Sequence, residues 1–366
     1  MKKDMLDKET KKKLESQQYR VVGGHSAVKI CGWTKNAIRG IGYCYKMKFY
    51  GIMSHQCLQM TSSISCANRC TFCWRDYKAP VSKDWKWKID SPKTIIEGSL
   101  KAQDKLLEGF NKGKNTIQKI YDESKEVKHV ALSLTGEPIN YPKINELIRG
   151  FNKKNISTFL VTNAQYPEEI KKLEPVTQLY LSIDAPTKEL LKKIDNPVYK
   201  DYWERMNKSL EYTAKKKQRT AIRLTLMKGI NMTHLKEYAE LIKKGDADFV
   251  EIKSYMWVGD SQKRHNFEHM PTSKEIMKFA KKILKFLPEY SLVSEHYESR
   301  VVLLVKNNLK INGKWHTWID FEKYNKLVNN PKTKKTFPTM DYLKPLPETA
   351  ILKEGFKHKI KSLFSK

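Results

Sequence analysis

Three cysteines, Cys66, Cys70 and Cys73, stand in a C-x3-C-x2-C run with an aromatic residue, Phe72, directly before the third. Thiolates at this spacing can wrap three corners of a cubic iron–sulfur cluster, and a 4Fe–4S cube ordinarily takes four. Three leave one iron open to chelate a small molecule. The same thiols could serve a zinc knuckle instead. A structural zinc site wants four ligands, usually in C-x2-C or C…H pairs, and no pair partners this triplet nearby. Ordinary buried thiols are the third reading.

A second triplet lies upstream. Cys31, Cys44 and Cys57 are separated by thirteen residues and thirteen again, C-x12-C-x12-C, so two sets of three account for all six cysteines. The first residues, Met1-Lys2-Lys3-Asp4, lack the apolar core of a signal peptide. The longest apolar runs, such as Val301 to Val305, are far too short to span a bilayer. The expectation is a soluble, cytoplasmic protein without membrane contact, in which cysteines are better read as metal ligands than as disulfides.

The chain of 366 residues is 40% hydrophobic, enough for one large barrel-like domain with appendages or for two modest domains. Seventy Lys and Arg against forty Asp and Glu give a net charge of +30. Such a field attracts polyanions, nucleic acid above all, although a general lysine bias would give the same number. In Lys83-Asp84-Trp85-Lys86-Trp87-Lys88 charge alternates with stacking faces, which can hold a splayed RNA nucleotide. The tryptophans could equally plug the open side of a barrel. Lys215-Lys216-Lys217 reads as the wet face of a helix, and the lysine- and proline-rich tail from Asn330 as an RNA-contacting arm or a solvated tail.

The elements that must position these residues alternate. A charged helix is expected near Lys8 to Gln18. Ser91-Pro92 caps a helical pattern running toward Glu123. Strands are expected at Val127–Leu134, Thr158–Thr162, Gln178–Ile183, Ala221–Met227 and Phe249–Tyr255, with helical patterns between them and a capping box at Thr272-x-x-Glu275. With one strand before Cys66 this makes six β–α repeats, an α/β fold of the partial (βα)6, TIM-like barrel kind. Chemistry in such barrels sits at the C-terminal strand ends, where Thr135-Gly136-Glu137-Pro138, Asn163, Asp184 and Lys253 fall. A strand-like Ser299–Asn307, a turn at Asn312-Gly313 and an aromatic strand Trp315–Trp318 follow.

The C-x3-C-x2-C run with Phe72 resembles the signature of radical S-adenosylmethionine (SAM) enzymes. With the C-x12-C-x12-C triplet before it, the match narrows, and the sequence resembles the family of tRNA 4-demethylwyosine synthases. Tyr19-Arg20, His25-Ser26-Ala27-Val28-Lys29, Ser54-His55-Gln56-Cys57, Phe72-Cys73-Trp74-Arg75 and Trp315-His316-Thr317-Trp318-Ile319-Asp320 agree with it, so the likeness covers roughly residues 19 to 320. Eukaryotic relatives carry an N-terminal flavodoxin-like domain, whereas this chain is similar to the short archaeal form, which implies a separate electron donor such as a flavodoxin or ferredoxin.

The resemblance implies a radical SAM enzyme that condenses N1-methylguanosine, next to the anticodon of tRNA, with pyruvate to give the tricyclic 4-demethylwyosine. It implies a 4Fe–4S cluster on Cys66, Cys70 and Cys73 with SAM on the open iron, and a second 4Fe–4S cluster on Cys31, Cys44 and Cys57. It implies a Schiff base between pyruvate and the lysine two residues past the middle cysteine, here Lys46, with Lys48 and Lys29 as rivals. Glu137 stands where related enzymes hold the methionine amine. Asn163, Ser182, Arg223 and Lys253, beside Phe72, are the further cofactor-binding expectations, each with a packing role as its alternative. The implied layout is an extension of residues 1–57 with the second cluster and the lysine, a barrel of residues 58–290 and an extension of residues 291–366, in a monomer of the carbon–carbon lyase class. Another radical SAM RNA-modifying enzyme, a methyl- or methylthiotransferase, and a non-catalytic metal-cluster RNA-binding protein are the competing readings.

Overall fold

The structure, a computed structural model, describes residues 2–333 and 337–352. Ten strands form one sheet: β1 (Arg20–Val22), β2 (Ser26–Val28), β3 (Cys57–Thr61), β4 (His129–Leu132), β5 (Ser157–Thr162), β6 (Gln178–Ser182), β7 (Thr220–Leu226), β8 (Phe249–Ser254), β9 (Tyr290–His296) and β10 (Val301–Lys306). Neighbours from β3 to β8 pair in parallel. These six strands are the expected partial (βα)6 barrel. The sheet continues antiparallel through β2 and β1 at one edge and through β10 and β9 at the other. Both extensions are therefore woven into the barrel sheet, and Cys57 is itself the first residue of β3.

Side chains on a strand alternate between faces, and this alternation separates two cores. Leu160, Leu179, Leu181, Ile222, Leu224, Val250 and Ile252 pack outward, against helices such as Ile144–Lys153 and Leu235–Gly245. Phe159, Val161, Tyr180, Ala221, Phe249, Val301 and Leu303 point inward. The inner side is filled by the short helix Tyr45–Tyr50, whose Tyr45, Phe49 and Tyr50 are buried among them. Asn163, Ser182, Arg223 and Lys253 share the inward parity, as does Glu251 between Phe249 and Lys253.

Local signals explain most helix ends. The Ser91 hydroxyl accepts from Thr94 N and Pro92 opens the first turn; Thr272 and Glu275 form the reciprocal box. The pattern expected to run to Glu123 breaks instead. One helix ends at Leu107, Lys112 takes a left-handed φ of +52°, and a second helix spans Gln118–Ser124.

The tail is also a correction. Phe337, Tyr342, Leu346 and Ala350 are buried in the inner core. A small sheet of β11 (Lys310–Ile311), β12 (Lys314–Ile319) and β13 (Leu343–Pro345) anchors this stretch, and the Tyr342 hydroxyl accepts from Arg219 N at 3.1 Å. Residues 337–352 are thus part of the barrel floor rather than an arm. The remaining tail, residues 353–366, lies outside the described residues. Among the described residues no helix is long and apolar enough to cross a membrane.

Candidate active site

After β3 the chain turns through three serines, Ser62, Ser63 and Ser65, and enters the first cysteine loop. Backbone bonds fix that loop from three sides: Cys66 N to Pro80 O at 3.3 Å, Arg69 N to Asp195 O at 3.0 Å and Thr71 N to Ile194 O at 2.7 Å. The Arg75 guanidinium donates to the carbonyls of Ile64, Asn68 and Pro80, and Arg264 donates to the carbonyls of Thr71 and Cys73. All three thiols are free. Cys66 Sγ accepts from Asn68 N and from Asn163 Nδ2, both at 3.4 Å. Burial pushes the Cys66 thiol up to about 12, with Arg75 opposing. Phe72 packs on the outer core. Among the described residues no three His, Cys, Asp or Glu side chains converge as a single bound ion requires.

The Thr135–Pro138 loop lies against that entry. Glu137 N donates to Ser63 O at 3.2 Å and Ser65 O at 2.9 Å. Gly136 has φ +67°, and a Cβ there would meet Ser63 O at 2.1 Å, so only glycine permits the approach. Glu137 is 2% exposed. Its Oε2 accepts from Asn163 N at 3.0 Å, while its Oε1 and the Thr135 hydroxyl are buried without partners. Burial raises the Glu137 carboxyl to about 7, against the pull of donors from Thr162 and Asn163. An unsatisfied buried carboxylate oxygen beside a cysteine loop is a seat for a cation.

The second triplet is gathered by Ser54. Its carbonyl accepts from the Thr34 hydroxyl at 2.8 Å, on the helix Gly32–Ile38 that begins after Cys31. Its hydroxyl accepts from Cys44 N at 2.9 Å, and the chain reaches Cys57 three residues on. Burial pushes the Cys44 and Cys57 thiols up to about 12; neighbouring thiols add to the rise and Lys46 opposes it. Cys44 caps the helix Tyr45–Tyr50, which aims Lys46 inward. Lys46 Nζ lies 4.6 Å from the centroid of the Tyr180 ring and 6.0 Å from that of Phe159. Of its rivals, Lys29 stands over Tyr19 at 4.6 Å, and Lys48 is lowered by burial, with Glu295 and Glu298 opposing.

Beside Lys46 the inward ladder is charged. Arg223 Nη2 donates to Ser182 Oγ at 3.2 Å. Burial and the Arg223 guanidinium pull the Lys253 ammonium down to about 8, with Cys44 opposing. Glu251 was not foreseen. It is fully buried and accepts from the hydroxyls of Tyr45 and Tyr50, each at 2.9 Å. Asp184 is not a helix cap: Thr187 caps that helix, and Asp184 accepts from Thr225 N at 3.3 Å. Trp85 and Trp87 meet edge to face at 5.7 Å and, partly buried, pack against the small cluster of Met5, Leu6, Tyr19 and Ile64.

The sequence between residues 60 and 242 matches the family model of the radical SAM superfamily, and residues 244–306 match that of wyosine base formation. The fold and the three-cysteine loop thus define a radical SAM protein, a class that implies SAM and a 4Fe–4S cluster. Free thiols, hydrogen-bond donors to Cys66 and the unpartnered Glu137 oxygen fit that pair of groups.

The particular family follows from fuller relatives. A structure of TYW1 with a lysine–pyruvate adduct bound is 38% identical, with a TM-score of 0.75, over 84% of this chain and 99% of that one. A crystal structure of archaeal TYW1 is 35% identical, with a TM-score of 0.69, over the same shares. The tRNA 4-demethylwyosine synthases of Xenopus laevis and Schizosaccharomyces pombe are each 44% identical, over 95% and 96% of this chain but 48% and 52% of their own length. The chain belongs to the TYW1 family of S-adenosyl-L-methionine-dependent tRNA 4-demethylwyosine synthases. It spans about half the length of the curated relatives it matches.

Proposed function

We propose that this chain condenses pyruvate with N1-methylguanosine next to the anticodon of tRNA, forming 4-demethylwyosine, as a carbon–carbon lyase. The observation that carries the reading is Lys46, seated on the Tyr180 ring inside the barrel beside Cys44 and Cys57. The lysine–pyruvate adduct bound in the TYW1 relative supports giving Lys46 the Schiff base. In this reading Cys66, Cys70 and Cys73 hold the SAM cluster, and Cys31, Cys44 and Cys57 hold a second 4Fe–4S cluster. A reduced 4Fe–4S cluster with SAM held there would supply a 5′-deoxyadenosyl radical able to take a hydrogen atom from the N1-methyl group. Phe72 packs behind the cysteine loop, Glu137 takes the methionine ammonium, and Asn163 and Ser182 take the ribose or carboxylate. The Lys46 amine condenses with the pyruvate ketone, expelling water, while Arg223 and Lys253 hold the pyruvate carboxylate. The methylene radical so formed would add to C2 of that imine, and the bond from C2 to the carboxyl carbon would break with the odd electron leaving on that one-carbon fragment. Attack by the guanine amino group on the restored imine would release Lys46 and close the ring. The barrel supplies position and a site shielded from water.

The protein so read is a cytoplasmic monomer served by a separate flavodoxin or ferredoxin, with residues 1–57 supplying the lysine and second cluster, 58–290 the SAM barrel and 291–366 a C-terminal extension with a basic tail. The test is an anaerobic reaction of the reconstituted protein with N1-methylguanosine tRNA, SAM, reductant and carbon-labelled pyruvate, read by nucleoside mass spectrometry. A labelled tricyclic nucleoside from the wild type and none from Lys46→Ala is expected. Deoxyadenosine without that nucleoside would favour a different radical SAM reaction on RNA. A colourless preparation retaining RNA binding would favour a zinc-containing binding protein.

A further inference from the structure

The loop between Tyr255 and Met270, which follows β8, turns apolar side chains to solvent. Phe267 is 58% exposed, Val258 40% and Met256 37%, and Trp74, the residue after Cys73, is 43% exposed. The loop is nonetheless tightly built. The Ser261 hydroxyl donates to Val258 O at 2.6 Å and accepts from the Tyr255 hydroxyl at 3.0 Å, and Trp257 Nε1 donates to His265 O at 2.7 Å. It is fastened to the cysteine loop, because Asp260 N donates to Trp74 O at 3.1 Å and Arg264 Nε to Thr71 O at 2.8 Å. Gly259, at φ +59°, permits the contact, since a Cβ there would meet Trp74 O at 2.7 Å. These bonds fix the loop with its apolar side chains exposed, an arrangement that suits a binding surface.

We infer that Trp74, Met256, Val258 and Phe267 form a platform for the unstacked bases that flank the target nucleotide, an inference that rests on the tRNA reading above. Single-stranded RNA is held by aromatic and apolar faces under its bases and by cations along its phosphates. Here the faces belong to a loop fastened beside the cysteine loop in a chain of net charge +30. A base that reacts must leave its stack, and its neighbours then expose apolar faces that need cover. Trp74 directly follows Cys73, and Met256, Val258 and Phe267 fall within residues 244–306, matched by the wyosine base formation family. An electron donor needs proximity to the cysteine loop but no row of stacking faces.

The test uses the full chain and an anticodon stem-loop RNA carrying 2-aminopurine beside N1-methylguanosine. Wild-type protein is expected to quench the probe on binding. Phe267→Ala should raise Kd for the RNA about tenfold, Phe267→Trp should restore it, and cluster absorbance and SAM affinity report that the variants are folded. An unchanged Kd in both Phe267→Ala and the Phe267→Ala/Val258→Ser double variant overturns the platform. If those variants instead raise KM for a flavodoxin donor at constant RNA affinity, the surface docks a protein and the inference fails. Failure of the wild type itself to bind the RNA would sink the tRNA reading, a result distinct from loss of the platform alone.

Discussion

The Tyr45 hydroxyl donates to Glu251 at 2.9 Å, tying the helix that carries Lys46 to the middle of β8. Tyr50, on the same helix, donates to the other carboxylate oxygen at 2.9 Å. The two tyrosines bracket Lys46, so Glu251 fixes both ends of the segment that aims it. Glu251→Ala would leave two buried hydroxyls unpaired around a cavity, an expected loss of about 3 kcal/mol. Glu251→Gln keeps one acceptor and should cost about 1 kcal/mol. Denaturant unfolding measures both, and borohydride trapping of pyruvate at equal folded fraction should fall in the order wild type, Gln, Ala. Equal trapping in all three would show that Lys46 is aimed by something else.

Sequence alternation revealed the barrel because each strand from β3 to β8 is followed by its own helical pattern. The site was legible where spacing carries chemistry, as in the two cysteine triplets. It was less legible where contacts are remote in sequence. Glu251 lies 206 residues from Tyr45, although period two already places it on one face with Phe249 and Lys253. Trp85 and Trp87, alternating with lysines, left a stacking surface and a plug equally open, and only the fold shows both rings packed against Met5, Leu6 and Tyr19. The stretch 337–352 looked solvated from its lysines and prolines, while Phe337, Tyr342 and Leu346 anchor it. Exposed apolar residues after β8 gave no signal, since only the fold shows their loop fastened to Trp74 through Asp260.

Gly136 is the tightest backbone contact of the Thr135–Pro138 loop. A methyl group there would strike Ser63 O at 2.1 Å and Ile64 C at 2.6 Å, both backbone atoms, at a φ of +67°. Neither partner can swing aside as a side chain would. Gly136→Ala should destabilise the protein by roughly 2 kcal/mol or more and displace Glu137, weakening SAM at least tenfold. Calorimetric titration of SAM, at a temperature where the variant is folded, checks this. Undiminished affinity would mean that Glu137 does not contact the cofactor.

Under the proposed function, Lys253 should make pyruvate binding depend on pH. Its ammonium is pulled down to about 8, first by burial and then by Arg223. It is cationic below that value and neutral above it, so its attraction for a carboxylate is full near pH 7 and fades as pH rises through about 8. KM for pyruvate should climb over that interval in the wild type. In Lys253→Met it should start about tenfold higher and lose the step near 8, while Lys46 is still trapped at saturating pyruvate. A step that survives in Lys253→Met would assign it to another group.

His129 provides a pH effect on stability, from the strand end where it pairs in register with Cys57. It opens β4, is buried, bonds Ser157 Oγ at 2.7 Å and lies 4.6 Å from the Phe321 ring. Burial, with His55 and Lys128 nearby, pulls its imidazolium down to about 3. An unfolded histidine takes up a proton below about 6.5, whereas the folded one resists until about 3. The contribution of the neutral ring is therefore complete above pH 6.5 and is lost progressively as pH falls toward 3, on the order of 5 kcal/mol at the acid limit. His129→Gln keeps a polar partner for Ser157 and removes the titration. The difference in unfolding free energy between wild type and variant should be constant above pH 7 and shift against the wild type from pH 6.5 to 4. A difference flat across the whole range would mean that the folded imidazole accepts its proton as readily as the unfolded one.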